Sequence, residues 1–224
     1  MTPRRPPSFL ALLADRRIVA VIRHPEATVA EALAHAAAGG GLRAVEVTMS
    51  VPGAASLIAR LRAALAPDVL VGAGTVLSAP QLDEVLGAGA QFVVSPGLDR
   101  SLVEICAGAR VPVLPGVLSP TEVMAARALG LDAVKLFPAD TGGPAHLRAL
   151  RAVFGDTAFV PTGGITAASA AGWFEAGARA VGLAGELEAA RQAGGEALVR
   201  RLARRLAETF DTVTGDRSTS GATT

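Results

Sequence analysis

Lys135 lies inside the apolar, strand-like run 131–138, where a lysine is seldom found. Transferring an ammonium into an apolar interior is costly, so this side chain must either extend to water or be held as a neutral amine. A neutral amine in a closed site is a nucleophile that forms Schiff bases with carbonyl compounds. This stretch alone leaves both interpretations open: a strand-end lysine that extends to solvent, or a nucleophile.

A second residue that could do chemistry, Glu46, lies in a strand-like run that ends at Thr48. Side chains alternate along a strand, so Glu46 and Thr48 share one face, as do Ala133 and Lys135. The small Ala44 and Ala133 leave room beside the charged groups. If the fold brings them together, the carboxylate and the lysine supply a general acid/base and a nucleophile. The alternative is a buried structural ion pair.

The elements that position these residues follow a repeated pattern: an Ala-rich amphipathic segment, a glycine that can end a helix, then a Val/Leu-rich run. Eight such runs, which include Ile18–Ile22 and Ala158–Pro161, have centres near 20, 46, 71, 93, 113, 135, 160 and 182. Helices are predicted over 27–38, 53–65, 79–87, 99–107, 119–129, 144–153, 167–176 and 195–210, with a short leading helix over 8–14.

The spacing of these runs suits one βα unit each, and continuous apolar runs are typical of strands buried on both faces. The pattern therefore predicts the α/β class and a (β/α)8 TIM barrel, with the short leading helix covering its bottom. An open doubly wound sheet is the alternative, but no Gly-x-Gly-x-x-Gly follows the first strand.

Composition limits the class of protein further. The 224 residues are 50% hydrophobic and 18% charged with a net charge of +1, which favours one domain over 1–210 and gives no reason to expect a nucleic-acid or membrane partner. The single cysteine, Cys106, and the lack of a signal-like segment favour a reducing cytoplasm. The tail 211–224 is predicted to be disordered. The histidines show no ligand spacing, so neither a metal nor a cofactor is predicted: His24, His35 and His146.

Further polar groups lie where strands of the predicted barrel end, which is where barrel enzymes place their active sites. Arg23 follows the first strand and could bind a carboxylate through two hydrogen bonds, or simply cap the rim. Thr162, Gly163 and Gly164 precede a predicted helix, and their backbone N–H groups could hold an anion such as phosphate. The same residues also suit an ordinary turn between a strand and a helix.

Several segments resemble the class I 2-keto-3-deoxy-6-phosphogluconate (KDPG) aldolase family, which includes 4-hydroxy-2-oxoglutarate (KHG) aldolases. The resemblance covers about residues 8–208 and is carried by the segments 45–48, 71–76, 94–97, 135–139 and 161–165. It implies a homotrimer of (β/α)8 barrels that needs no metal. It also implies a small-molecule substrate, a 2-keto acid, and pyruvate as a product.

The resemblance implies roles for individual residues. Lys135 would attack the C2 carbonyl of the substrate, and Glu46, directly or through a water, would move the protons. Cleavage of the C3–C4 bond would give pyruvate and an aldehyde, which is glyceraldehyde 3-phosphate from KDPG or glyoxylate from 4-hydroxy-2-oxoglutarate. Thr75, Pro96 and Phe137 would line the site around the pyruvate part, and the segment 161–165 would bind phosphate.

Two positions depart from the family pattern. Many members carry a carboxylate-binding arginine four residues after the glutamate, where this chain has Ser50, so Arg23 is the expected substitute. Gly185 stands where the family usually has a phosphate-binding serine, and the adjacent Glu186 would repel a phosphate unless turned away. Cleavage of a 2-keto acid is therefore better supported than a requirement for phosphate.

Alternatives to the KDPG- or KHG-type reaction are still open at this stage. One is a related aldolase for the galactonate-derived isomer (KDPGal) or for an unphosphorylated 2-keto acid. Another, from a different enzyme class, is a phosphosugar isomerase that uses Glu46 as a base without a covalent intermediate. The third is a non-catalytic barrel that binds a keto acid or serves in assembly.

Overall fold

The computed structural model describes residues 5–210, so the predicted disordered tail over 211–224 lies outside the described residues. Short strands alternate with helices along the chain, which confirms the α/β class. The strands are β1 Ile18–Ile22, β2 Ala44–Thr48, β3 Leu70–Gly74, β4 Val93–Val94, β5 Val113–Leu114, β6 Gly116–Val117, β7 Ala133–Leu136, β8 Ala158–Pro161 and β9 Val181–Leu183.

The helices follow the strands at nearly the predicted positions. They are α1 Phe9–Leu13, α2 Ala27–Gly39, α3 Ala54–Ala64, α4 Ala79–Gly87, α5 Arg100–Ala109, α6 Pro120–Ala128, α7 Gly143–Val153, α8 Ala167–Glu175 and α9 Gly185–Phe210. Side-chain caps fix several of the helix starts, because a hydroxyl or carboxylate accepts from an otherwise unpaired N–H group of the first turn. These caps are Ser78 before α4, Asp99 before α5, Ser119 before α6 and Thr166 before α8.

All strand pairs are parallel and form two sheets, in the orders β5-β4-β3-β2-β1-β9 and β6-β7-β8. The predicted fifth strand is wrong as a single element, because it is divided into β5 and β6 at Pro115. Proline has no N–H group to donate to a neighbouring strand, so the ladder is interrupted there. At the other edge, a parallel bridge joins Thr162, just after β8, to Gly182 of β9.

The last element, α9, consists of two helical halves that meet at Gly194 and Gly195, where the backbone leaves helical geometry. The half that follows Gly195 is the helix predicted over 195–210, whereas the first half, from Gly185, was not predicted. Leu187 and Ala190 are three residues apart and both buried, so tertiary packing holds this first half in place. Among residues 5–210, no helix is both long and apolar enough to cross a membrane.

Alternation along the strands sorts the side chains into two apolar layers. Ile18, Ala20 and Ile22 of β1 pack in the large cluster shared with the helices. The residues between them belong to a smaller inner cluster: Phe9, Leu13, Val19, Val21, Ala44, Leu70, Phe92, Val94, Leu114, Ala133, Val160 and Ala180. Ala44 and Ala133 therefore lie inside, below Glu46 and Lys135 on the same strand faces, as expected.

Helix α1 packs its buried face on this inner cluster. The ring of Phe9 meets that of Phe92 edge-on with centroids 5.7 Å apart. Asp132, at the start of β7, holds the helix by accepting from the Ser8 hydroxyl and from the N–H groups of Phe9 and Leu10. The leading helix thus closes the inner core on the side from which β7 enters.

Cys106 of α5 gives a test of core packing. Burial raises the pKa of this fully enclosed thiol from 9.0 to about 12. Because the folded pKa lies above the unfolded value, the stability from the neutral thiol is complete below about pH 9 and is lost as the pH rises toward 12. We expect the free energy of unfolding, measured with urea, to fall in wild type relative to Cys106→Val as the pH rises over this range. If the free energies of unfolding of the two proteins instead changed in parallel from pH 8 to 11, the buried neutral thiol would be contradicted.

Candidate active site

Strand β7 places Lys135 between two neighbouring strands. Lys135 is opposite Gly116 of β6 and Val160 of β8, and its N–H donates to the carbonyl of Pro115 at 2.9 Å. The side chain is only 7% exposed, so it does not extend to bulk water. Of the two interpretations that the sequence left open, the structure therefore agrees with the buried amine.

The Glu46 carboxylate faces this amine. Lys135 Nζ lies 3.7 Å from Glu46 Oε1, and the glutamate side chain is 3% exposed. This distance exceeds a hydrogen bond, and Oε1 is buried without a hydrogen-bond partner. A buried carboxylate oxygen without a hydrogen bond is costly and therefore rare in a purely structural role. The geometry leaves Oε1 available to exchange a proton with the amine or with a bound molecule.

Gly74 makes the space for this carboxylate. A Cβ on Gly74 would lie 1.9 Å from Glu46 Oε1, so any other residue would displace the Glu46 side chain. Gly74 is paired with Thr48 on β2, two residues beyond Glu46. The sequence pattern contained Gly74 without indicating this role, because only the strand register brings it beside the glutamate.

Phe137 lies close to Lys135, and Pro96 lies close to Gly116, the β6 residue opposite Lys135. The centroid of the Phe137 ring is 5.0 Å from Lys135 Nζ, and the ring is half-buried. A Cβ on Gly116 would come within 2.0 Å of the Pro96 carbonyl oxygen. An apolar ring beside the amine limits the access of water, which favours Schiff-base chemistry.

Arg23 and Thr75 form a second group of contacts. Arg23 Nη2 donates to Thr75 Oγ1 at 3.3 Å, and the arginine side chain is exposed at the end of β1. Thr75 has a φ of 56°, a left-handed conformation that is uncommon for a threonine and concentrates at functional sites. Ser50 bonds instead to Thr48, with 2.8 Å between the two hydroxyl oxygens. Ser50, at the position that carries an arginine in many relatives, is thus hydrogen-bonded to a residue of β2.

The turn after β8 is brought against the strand end that carries the lysine. Gly163 and Gly164 have φ values of 107° and 68°, which require glycine. A Cβ on Gly163 would lie 3.7 Å from the Phe137 ring. Thr162 is buried and approaches Gly182 of β9, where a Cβ would come within 2.4 Å of its Oγ1. The turn therefore forms one wall of the same site.

The Glu186 carboxylate lies at the start of α8, the helix that follows this turn. Its Oε2 accepts from the N–H group of Ala167, the first residue of α8. Gly185 has open space where a side chain would begin.

Composition gives a second signal for the lysine. Lys135 is the only lysine among the 224 residues, all other strong cations being arginines. Across residues 5–210, no three His, Cys, Asp or Glu side chains come together as a metal site would need. The expectation of a metal-free reaction stays a prediction.

A buried amine that faces a buried carboxylate, at the carboxyl ends of parallel strands, defines the class of Schiff-base lyases. The chain belongs to the KDPG and KHG aldolase family, whose model matches residues 10–197. Aldolases are lyases, so the class of the site and the class of the family agree.

Individual relatives support the same placement. The chain is 45% identical to the 2-dehydro-3-deoxy-phosphogluconate aldolase of Treponema pallidum over 150 residues, 66% of this chain and 71% of the relative. The KDPG aldolase structure from Zymomonas mobilis ATCC 29191 superposes with a TM-score of 0.80 at 34% identity, covering 91% of this chain and 97% of that one. The Legionella pneumophila KDPG aldolase, captured with pyruvate as a covalent carbinolamine, gives 0.78 at 33% identity over 88% and 97%.

Proposed function

We propose that this chain is a class I aldolase that cleaves the C3–C4 bond of a 2-keto acid to pyruvate and an aldehyde. The observation that carries the proposal is the buried pair, with Lys135 Nζ 3.7 Å from Glu46 Oε1. KDPG and KHG are the substrate types that the family suggests. Membership in an aldolase family argues against the phosphosugar isomerase and the non-catalytic barrel.

The residues would divide the reaction between them. The Lys135 amine adds to the C2 carbonyl to form a carbinolamine, which loses water to give an iminium ion. Glu46 accepts the proton of the C4 hydroxyl as the C3–C4 bond breaks, and the bonding electrons move to the iminium nitrogen. The aldehyde leaves and C3 of the enamine is protonated to give an iminium ion, which water hydrolyses to pyruvate and the free Lys135 amine.

The other site residues would hold the substrate. Thr75, Pro96 and Phe137 line the pyruvate part, for which the 5.0 Å between the Phe137 ring and Lys135 Nζ is the most direct support. Thr162, Gly163 and Gly164 form the wall at the far end of the substrate. Neither a metal nor a cofactor enters any step.

Arg23 is the proposed ligand of the substrate carboxylate, because position 50 has a serine and not the arginine of many family members. We expect Arg23→Ala to raise KM for the 2-keto acid about tenfold or more while kcat changes less, because a bidentate charged contact is lost. Arg23→Lys should restore only part of the affinity. The matched control is Arg62→Ala, an exposed arginine of α3. An unchanged KM in Arg23→Ala would show that the arginine only caps the rim.

We also propose that the two sheets close into one (β/α)8 barrel and that residues 1–210 form a single domain. Two junctions support closure: the continuity of β5 and β6 around Pro115, and the bridge from Thr162 to Gly182. The large apolar cluster extends from Ile18 to Leu206, as expected for one domain.

A homotrimer, which the family resemblance implies, and a cytoplasmic location, which the single cysteine favours, complete the proposal. Light scattering of the purified chain should give three times its 22.5 kDa mass.

The proposed activity is tested on the wild-type protein with pyruvate and borohydride. Reduction of the Schiff base should add one reduced pyruvate unit, and a coupled assay should detect pyruvate released from 2-keto-3-deoxy acids or 4-hydroxy-2-oxoglutarate. Absence of both an adduct and cleavage would overturn the proposal.

A further inference from the structure

The far wall of the site already contains a carboxylate at its anion-binding end. The first N–H groups of a helix attract anions, because they lack partners within the helix and the dipole is positive there. At α8, a nine-residue helix, the Thr166 side chain accepts from Ser169 N, and Glu186 Oε2 accepts from Ala167 N. The chain's own carboxylate therefore occupies one of the first N–H donors of α8, which would otherwise be open to an anion.

A second carboxylate lies against the neighbouring glycine turn. A Cβ on Gly164 would be 2.9 Å from Asp140 Oδ2, so this oxygen lies beside the turn. Within the described part of the chain, Asp140 makes no hydrogen bond or ion pair, and the N–H groups of Gly163 and Gly164 donate to no other residue. Two free donors thus have an unpaired carboxylate beside them, and the Glu186 carboxylate follows at the start of α8.

We propose that this end of the site selects a neutral, hydroxylated group, and that Glu186 is the residue that rejects a phosphate. The inference rests on the proposed aldolase function and names its substrate class, an unphosphorylated 2-keto-3-deoxy sugar acid. Hydroxyl groups can donate to Asp140 and Glu186 and accept from the glycine N–H groups. A dianionic phosphate would meet two like charges there, which is an effective means of rejection.

Charge in the neighbourhood also bears on the proposal. Arg205 lines an adjoining cavity of about 360 Å³ together with Glu186 and Ala167. The Arg205 guanidinium is not within ion-pair distance of Glu186 in the described structure. If a phosphorylated substrate could move Glu186 toward Arg205, the helix end would open and the enzyme would accept phosphate. The relative kcat/KM for substrates with and without a phosphate distinguishes rejection by Glu186 from such a movement.

The test compares kcat/KM for 2-keto-3-deoxygluconate and its 6-phosphate in wild type and in Glu186→Gln. Glutamine keeps an oxygen that can accept from Ala167 N and removes the charge. We expect wild type to prefer the neutral substrate by about tenfold or more, and the substitution to raise kcat/KM for the phosphorylated one about tenfold, mainly through KM. Inorganic phosphate should inhibit Glu186→Gln more strongly than wild type.

The matched control is Glu196→Gln, the same chemical change at an exposed position of α9, which should leave both substrates unaffected. A wild-type preference for the 6-phosphate, or an equal change for both substrates in Glu186→Gln, would overturn the inference. If pyruvate still forms its adduct in that case, the aldolase function stands and only the substrate class is wrong. If no adduct forms at all, the proposed function itself fails.

Discussion

Replacing Lys135 by methionine is expected to abolish both the borohydride-trapped pyruvate adduct and aldol cleavage, with a loss of at least about 10⁴-fold in kcat/KM. Methionine has nearly the same length and fills the same apolar strand position, but it has no amine to attack the C2 carbonyl. No neighbouring group can replace it, because Lys135 is the only lysine among the 224 residues. Peptide mapping of the wild-type adduct should therefore place it on Lys135, apart from the terminal amine.

Loss of the amine also leaves the buried Glu46 carboxylate without its partner, which could destabilise the fold by a few kcal/mol. Two further variants separate chemistry from folding. Lys135→Arg keeps a cation near Glu46 but cannot form a Schiff base, and Lys135→Met/Glu46→Gln removes both charges. Each variant should have the wild-type circular dichroism spectrum, which shows that it folds, and should be inactive. Persistent cleavage in a folded Lys135 variant would show that the reaction does not pass through this amine.

Replacing Glu46 by glutamine is expected to lower kcat by about 10²–10⁴-fold while pyruvate can still be trapped, although more slowly. The substitution keeps the shape that Gly74 accommodates, so the side chain should remain in place. What is lost is a group that can accept the C4 hydroxyl proton as the C3–C4 bond breaks. In this variant, the rate of cleavage should therefore fall more than the rate of trapping when the two are measured side by side.

Glu46→Asp is the matched control, because it keeps the carboxylate but withdraws it by one methylene from the 3.7 Å contact with Lys135. Its activity should fall between those of wild type and Glu46→Gln. If Glu46→Gln instead cleaved substrate at the wild-type rate, the pair would be a structural ion pair. Loss of trapping and cleavage to the same extent would place the glutamate in Schiff-base formation alone.

Local patterns were sufficient to predict most of the elements. The glycine-bounded apolar runs predicted the strand positions, since β-branched runs too short for helices recur at one βα unit's spacing. The predictions failed where tertiary contacts outweigh local signals. Pro115 divides one strand because its missing N–H matters only when a neighbouring strand is present. The first half of α9 forms because Leu187 and Ala190 find a core to pack against.

The sequence by itself predicted the proposed catalytic pair and identified its family. Alternation along β2 and β7 put Glu46 and Lys135 on inward faces, and the surrounding motifs resemble the aldolase family to which the chain belongs. Only the tertiary structure decided how the far wall of the site is built. Glu186 and Ala167 are nineteen residues apart on different helices, so their hydrogen bond depends on how the helices are placed, not on any local pattern. For the same reason, the position of Gly74 beside Glu46 follows from the register between two strands, which their separate sequences do not specify.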